Sequence, residues 1–397
     1  MTEHRTHVVV IGGGYAGVMA ANHLRTRGDV DITLVNARPQ FVERIRLHQL
    51  LTGSDDAVVD YRDILGEGVR LVVDTAEVID PAARTVALAS GTTLTYDYLV
   101  YALGSTGGVM TVPGAAEHAH PISEYEHAER LRAALDATHP GSPVTVVGAG
   151  PTGIETAAEL AEEGRTVTIV CGNVLGPYFS TTTRRSVARR LRKLGVTVLE
   201  GPGATVTEVT PQSVVLSDGR ELPSVVTIWS AGFSVPDLAA RSGLRTDALG
   251  RLLTDETLTS VDDTRIVAAG DAAAPSELPL RMSCQAAIPL GAQAANTVLS
   301  RIAGEEPAVL SQAFTGQCVS LGRRAGVIQL ARTDDTVLPL YIGGRAAATV
   351  KEAVCNGTIA FLAKEARKPG SYFWLKSGKR SRQLAGAAKT KVEVPAE

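Results

Sequence analysis

The 397-residue chain is poor in cysteine, in long apolar runs and in net charge. Its four cysteines, at 171, 284, 318 and 355, include no CxxC pair. That excludes a disulfide-stapled scaffold and a zinc ribbon, and a reducing cytoplasm is the expected setting, with no metal site. No stretch approaches the roughly 18 consecutive apolar residues of a spanning helix, so an integral membrane protein is excluded. The short run Val8 to Ile11 is followed at once by three glycines, which is unlike a signal peptide. The net charge is only −3, but it is unevenly spread. Residues 351–397 hold ten Lys or Arg against four Asp or Glu, and seven of the eight lysines. Such a tail reads as a solvated terminus or as a contact for an anionic surface, with no nucleic-acid partner expected. What the chain does have is length and an apolar fraction of 44%, enough for two to three globular domains.

Two segments resemble each other. Val8-Val-Val-Ile-Gly-Gly-Gly-Tyr-Ala-Gly17 returns as Val144-Thr-Val-Val-Gly-Ala-Gly-Pro-Thr-Gly153. Each opens with β-branched residues, which predict a buried parallel strand. Each continues into an alanine-rich helical stretch, Val18–Arg27 and Ile154–Glu163, stopped by Gly28 and Gly164. A second apolar run follows, Ile32–Val35 and Val167–Val170. The pattern is a duplicated βαβ unit. Short strands with turn punctuation come after each copy, over 69–102 and 203–229, the latter with a hairpin at Asp218-Gly219. The class is α/β: two Rossmann-like dinucleotide-binding domains plus a smaller C-terminal α+β domain. The expected boundaries are 1–112 with 236–308, then 113–235, then 311–397.

In Gly12-x-Gly14-x-x-Gly17 the first glycine permits the tight strand-to-helix turn. The second lets a pyrophosphate approach the backbone, and the third lets helix and strand pack. The phosphates then meet unpaired N–H groups at the positive end of the helix. Gly148-x-Gly150-x-x-Gly153 repeats the arrangement. Two such sites in one chain imply two dinucleotides, and the natural pair is FAD with a nicotinamide, between which hydride can pass.

The motifs together resemble the FAD- and NAD(P)-dependent pyridine nucleotide–disulfide oxidoreductase superfamily, which is glutathione-reductase-like in fold. The resemblance rests on both fingerprints, on Tyr98-Leu-Val-Tyr-Ala-Leu-Gly-Ser105, and on Thr259 through Arg265-Ile-Val-Ala-Ala-Gly-Asp271, in family order over about residues 1–300. It implies an FAD site at Gly12, Gly14, Tyr15, Ala16, Gly17, Asn36, Arg44, Ala76, Ala102, Gly104, Gly270 and Asp271. It implies an NAD(P) site at Gly148, Gly150, Thr152, Gly153, Glu155, Cys171 and Gly232. No redox cysteine pair is present, so a thiol relay is absent and the chain looks like the single-flavin branch: type II NADH dehydrogenases and apoptosis-inducing-factor-like oxidoreductases. The activity this implies is hydride transfer from NAD(P)H to FAD, then electron transfer to a quinone or quinone-like acceptor. Two alternatives stand beside it: a reductase for a ferredoxin- or rubredoxin-type carrier, and a slow NAD(P)H-sensing flavoprotein. A homodimer is compatible with each.

Several positions depart from the family pattern. The acidic residue expected about 20 positions into each fingerprint is Asn36 in the first unit and Cys171 in the second. Asn36 is expected to accept a ribose hydroxyl, and the choice between NADH and NADPH stays open, with Arg184 and Arg185 a little downstream. Gln285 fits the first glutamine of an AQxxxQ pattern near flavin and quinone, but Pro289 replaces the second. Glu155 falls where relatives keep a glutamate near the nicotinamide. His48, with Arg44, Arg46 and Gln49, is expected either to help form the acceptor pocket or hold FAD, or to lie on a surface helix. In the tail, Phe361-Leu362 and Tyr372-Phe-Trp-Leu375 lie among seven Lys or Arg, which suits peripheral membrane contact, although Pro369-Gly370 interrupts any continuous helix.

Overall fold

The computed structural model describes residues 5–393, with side chains through 387. The α/β class holds. One five-stranded parallel sheet has the order Ile266–Ala268, Tyr98–Tyr101, Thr6–Ile11, Val30–Asn36, Val69–Val73. A second has the order Ala119–Pro121, Val226–Trp229, Pro143–Val147, Thr166–Val170, Thr197–Leu199. The central strands are apolar on both faces because both are covered, one by helices and the other by an antiparallel sheet, and Val8, Val9, Val10, Val146 and Ile169 are fully buried. Each βαβ unit is followed by a three-stranded antiparallel sheet, 76–95 and 206–223. The chain segments that cross between the two parallel sheets pair with each other, Thr106–Gly107 against Phe233–Ser234.

The helices after the glycine turns span Tyr15–Leu24 and Pro151–Glu162. Both begin three residues before the expected start, because the second glycine of each fingerprint is the N-cap. Helix Cys284–Ile302 crosses Tyr15–Leu24 closely. Gly291 makes this possible, since a Cβ there would collide with the backbone of Ala16. Pro289 lies inside that helix without ending it. Its missing N–H leaves the Gln285 carbonyl unpaired in the helix, and Gln312 Nε2 donates to that carbonyl at 3.1 Å.

The C-terminal region is an antiparallel sheet, Gly316–Ser320, Gly326–Ala331 and Val337–Gly343, followed by helix Gly344–Arg367. The buried stripe of that helix follows the helical repeat: Ala347, Lys351, Cys355, Thr358, Leu362, Glu365. Two of these residues are charged, and each meets a partner on a different nucleotide-binding unit. Glu365 accepts from His23 Nδ1 at 2.7 Å, and Lys351 reaches Glu155 at 3.4 Å. The helix therefore clasps both units. The basic tail is less solvated than its composition implies. Lys351 is buried, Arg380 is buried against Glu256 in a two-pronged pair at 2.9 Å, and Lys379 pairs with Asp334 at 3.2 Å.

Candidate active site

The two fingerprints divide their glycines in the same way. A Cβ on Gly12 would strike the carbonyl of Ala102, and Gly12 has φ +101°. A Cβ on Gly17 would strike the Gly12 carbonyl. In the second copy, Gly148 has φ +108° and is pressed against Ala231, and Gly153 against the Gly148 carbonyl. These four are required by packing. Gly14 and Gly150 differ: each has φ in the ordinary range, and a Cβ there would meet no atom within 4 Å. Their bareness serves nothing inside the protein. It opens the first-turn N–H groups of each helix to an outside phosphate, so both cradles fit a dinucleotide.

Around the first cradle the expected residues form a connected set. Arg44 Nη1 donates to the Ser105 carbonyl at 2.6 Å, and Ser105 Oγ donates to Asp271 Oδ2 at 2.7 Å. Asp271 Oδ1 accepts from the Ser283 amide at 3.2 Å, at the N-cap of helix 284–302. Gly104 has φ +70° with open space beside it, and Gly270 has φ +73° with its bare side against Ala16. Ala102 and Ala76 are buried, and Tyr15 packs edge-on to Phe41 at 5.0 Å. Asn36 does more than its position in the pattern implies. Its Oδ1 accepts from the Gly13 amide at 2.9 Å and its Nδ2 donates to the Arg38 carbonyl. Tyr61 also donates to the Gly13 carbonyl at 2.8 Å. The Asn36 amide thus also holds the glycine turn, and its oxygen keeps a second lone pair. Gln285 lies in the first turn of helix 284–302, donating to Thr315 Oγ1 at 2.8 Å, with its Oε1 buried and unpartnered.

In the second unit, Ser230 Oγ donates to the carbonyls of Val147 and Gly148 and braces the turn. Gly232 has φ +80° and lies against Gly108, where the two crossing segments meet. Thr152 is in the first helical turn. Cys171 ends strand Thr166–Val170 half-buried, its thiol pushed up to about 12 by burial and by nearby Glu200. The other thiols are also held protonated by burial, Cys284 up to about 12 and Cys318 to about 11, with Cys355 raised. None is poised as a thiolate nucleophile.

Glu155 and His48 come together where three parts of the chain meet, so His48 is not on a surface helix. Glu155 accepts from the Ser320 amide at 2.9 Å, and Lys351 Nζ lies 3.4 Å from its Oε1. Burial opposes its ionisation, but Lys351 and the Ser320 amide outweigh burial and hold the carboxyl below the usual range. Lys351 likewise keeps its proton because Glu155 offsets the burial that would remove it. His48 is buried with its ring nitrogens 3.7 Å from Glu155 and 3.4 Å from Glu159. Burial pulls its pKa down to about 3, so the ring is neutral. Ser320, Lys351 and Glu159 were not legible as site residues, and the first two stand 165 and more positions from Glu155 in sequence. The one signal was periodicity: Lys351 falls on the same helical stripe as Ala347, Cys355 and Leu362.

Residues 6–294 match the family described as pyridine nucleotide-disulphide oxidoreductase. The chain belongs to that family. It is an oxidoreductase of the FAD- and pyridine-nucleotide-using kind, as the two cradles require. Among its relatives, an NADH dehydrogenase-like protein of Mycobacterium tuberculosis is 32% identical over 325 residues, 74% of this chain and 80% of that protein. A type II NADH:quinone oxidoreductase of the same organism is 29% identical over 349 residues, 77% of this chain and 74% of that protein. Among solved structures, the sulfide:quinone oxidoreductase of Aquifex aeolicus superposes with TM-score 0.79 at 22% identity, covering 92% of this chain and 93% of that one. NDH2 of Plasmodium falciparum, solved with NADH, superposes with TM-score 0.72 at 15% identity, covering 94% and 100%. These two likenesses establish the shared fold.

Proposed function

We propose that this oxidoreductase passes hydride from NADH to FAD and then both electrons to a quinone, at a lipid surface touched by its C-terminal domain. The observation that carries the reading is an exposed apolar stripe on helix Gly344–Arg367, beside the buried Lys351 that pairs with Glu155. Val350, Val354 and Phe361 recur at helical spacing and are each more than 40% exposed. The strap after the helix adds Phe373, 80% exposed, and Leu375, 61% exposed. Lys376 covers Trp374 at 5.8 Å, and Lys364 lines the same hollow as Phe361, Phe373 and Leu375. Exposed aromatic and aliphatic side chains rimmed by cations suit the headgroup boundary of an anionic bilayer. Among the described residues no helix is long and apolar enough to cross a membrane, so the contact is peripheral.

Hydride transfer needs no side-chain acid or base, only two rings held at contact distance in a dry site. The flavin, when bound, supplies the two-electron acceptor for that hydride. The glycine turns, Asn36 and Tyr61 orient the first dinucleotide. Asp271, fixed by Ser105, Arg44 and the Ser283 amide, would bind its ribityl–pyrophosphate region. The curated relatives named for NADH support NADH as donor, and the absence of an arginine directly beside Cys171 agrees. The test uses anionic vesicles carrying a long-tailed quinone. The full-length protein should pellet with them at low salt and oxidise NADH only when the quinone is present. Phe373→Ser with Leu375→Ser should weaken vesicle binding at least about tenfold, since each side chain buried in lipid contributes about 1.5–3 kcal/mol. Equal pelleting of the variant, or turnover indifferent to quinone, would contradict the reading.

A further inference from the structure

Oxidising one NADH with one quinone consumes one proton from water: NADH + H⁺ + quinone gives NAD⁺ + quinol. The hydride brings both electrons and one hydrogen, and the second hydrogen of the quinol must enter the protein from solvent. The Glu155–Lys351 pair is sealed from solvent, with both side chains less than a tenth exposed. An entry route is therefore needed if that pair faces the acceptor, and the inference rests on the quinone reading above.

We propose that Glu159, acting through His48, is the entry route that reloads the Glu155–Lys351 pair with that proton. Glu159 lies one helical turn beyond Glu155 on helix Pro151–Glu162. Its Oε1 is 3.4 Å from His48 Nε2, and His48 Nδ1 is 3.7 Å from Glu155 Oε2. The imidazole thus stands between two carboxylates with one nitrogen toward each. It can accept a proton at Nε2 while releasing the one on Nδ1, so the ring need not carry a lasting charge. Ser320 Oγ, 3.5 Å from His48 Nε2 and 3.3 Å from Glu155, supports the same bridge. On the outer side, Thr52 Oγ1 donates to Glu159 Oε2 at 3.3 Å, and Arg323 Nη2 is 3.0 Å from Oε1. Arg323 is 37% exposed and Thr52 is partly so, so the chain of groups runs from the surface to the sealed pair.

The charges around Glu159 come from every element packed on it. Arg323 stands on the loop after strand Gly316–Ser320, His48 on the short helix Leu47–Leu50, Lys351 on the clasping helix, and Glu155 on its own helix. Burial and the neighbouring Glu155 charge outweigh Arg323 and Lys351, and the Glu159 carboxyl is pushed up to about 7. A carboxyl with that affinity takes a proton from neutral water and passes it inward with little penalty either way.

Two acceptors separate this role from a structural one. Ferricyanide takes one electron at a time and no proton: NADH + 2 ferricyanide gives NAD⁺ + H⁺ + 2 ferrocyanide. Glu159→Gln keeps the shape and cannot relay a proton. It should slow quinone turnover at least about tenfold, keep flavin content, and sustain ferricyanide turnover near the wild-type rate. The fall of wild-type quinone turnover as pH rises through about 7 should vanish in the variant. His48→Asn should show the same selective loss. Independently of activity, infrared difference spectra taken on either side of pH 7 should show a buried protonated carboxyl in the wild type and none in Glu159→Gln. Equal loss with both acceptors, unchanged quinone turnover, or an unaltered infrared titration would overturn the proposal. A wild type that reduces ferricyanide but no quinone would instead overturn the quinone reading, and the relay with it, even where the infrared titration is seen.

Discussion

Gly150→Val should give a folded, yellow protein that NADH does not bleach. The backbone at Gly150 has φ −74° and ψ −178°, extended geometry that valine adopts readily. A Cβ there meets nothing within 4 Å, so stability should stay within about 0.5 kcal/mol of wild type. The branched side chain would, however, stand over the first-turn N–H groups of helix Pro151–Glu162, the proposed seat of the nicotinamide dinucleotide's phosphates. A shift of about 1 Å in the bound donor is enough to cost about a hundredfold in hydride transfer, and displacement here is larger. Flavin content and thermal midpoint should be unchanged while anaerobic bleaching by NADH slows at least about a hundredfold. Gly14→Val should do the complementary thing, folding without flavin. Gly148→Ala and Gly153→Ala should damage the fold itself, because their Cβ atoms have no room. Bleaching of Gly150→Val at the wild-type rate would mean the second cradle does not hold the donor.

Lys351→Met should destabilise the protein by about 3–5 kcal/mol, the usual result of removing one partner from a buried ion pair. Glu155 would then be a buried carboxylate with the Ser320 amide but no cation at 3.4 Å. Its carboxyl would rise toward or above the ordinary range and take up a proton. In the wild type the depressed Glu155 value adds stability above the ordinary carboxylate pKa of about 4.3, and that addition is lost as pH falls through the folded-state value. In Lys351→Met the addition is absent, and stability should instead rise on mild acidification. Adding Glu155→Gln to Lys351→Met removes the stranded charge, and most of the lost stability should return while quinone turnover does not. Urea unfolding of the two variants at two pH values checks this. A double variant no more stable than the single one would show that the pair is not what couples the clasping helix to the nucleotide-binding unit.

The fingerprints were readable because their requirement is local. Gly12 and Gly148 need positive φ, Gly17 and Gly153 need the third glycine's close approach, and all lie within one turn of a strand end. The α/β alternation was readable for the same reason, since Val8–Ile11 and Val144–Val147 are β-branched runs that only a doubly covered strand accommodates. The turn-bracing role of Asn36 was not readable because its position in the pattern does not say which way its amide turns; in the fold its Oδ1 meets the Gly13 amide. Lys351, Lys379 and Arg380 were counted with a solvated tail because composition records charge and not partners. Their partners, Glu155, Asp334 and Glu256, are tens to hundreds of residues away. His48 was left open between the acceptor pocket or FAD and a surface helix, because its environment is not written in its own segment. Its surroundings, two carboxylates on one helix face and a serine from the C-terminal sheet, come from parts of the chain more than a hundred residues away.

In the proposed reading NADH reduces the flavin and the flavin reduces a quinone. The most direct test is one anaerobic cuvette of the purified, aerobically isolated protein, read in the visible range. Addition of NADH should bleach the flavin bands within seconds, and addition of a quinone should restore them with one equivalent of quinol formed per equivalent of NADH consumed. A flavin that stays oxidised under NADH, or one that is bleached but not restored by quinone, would contradict the account.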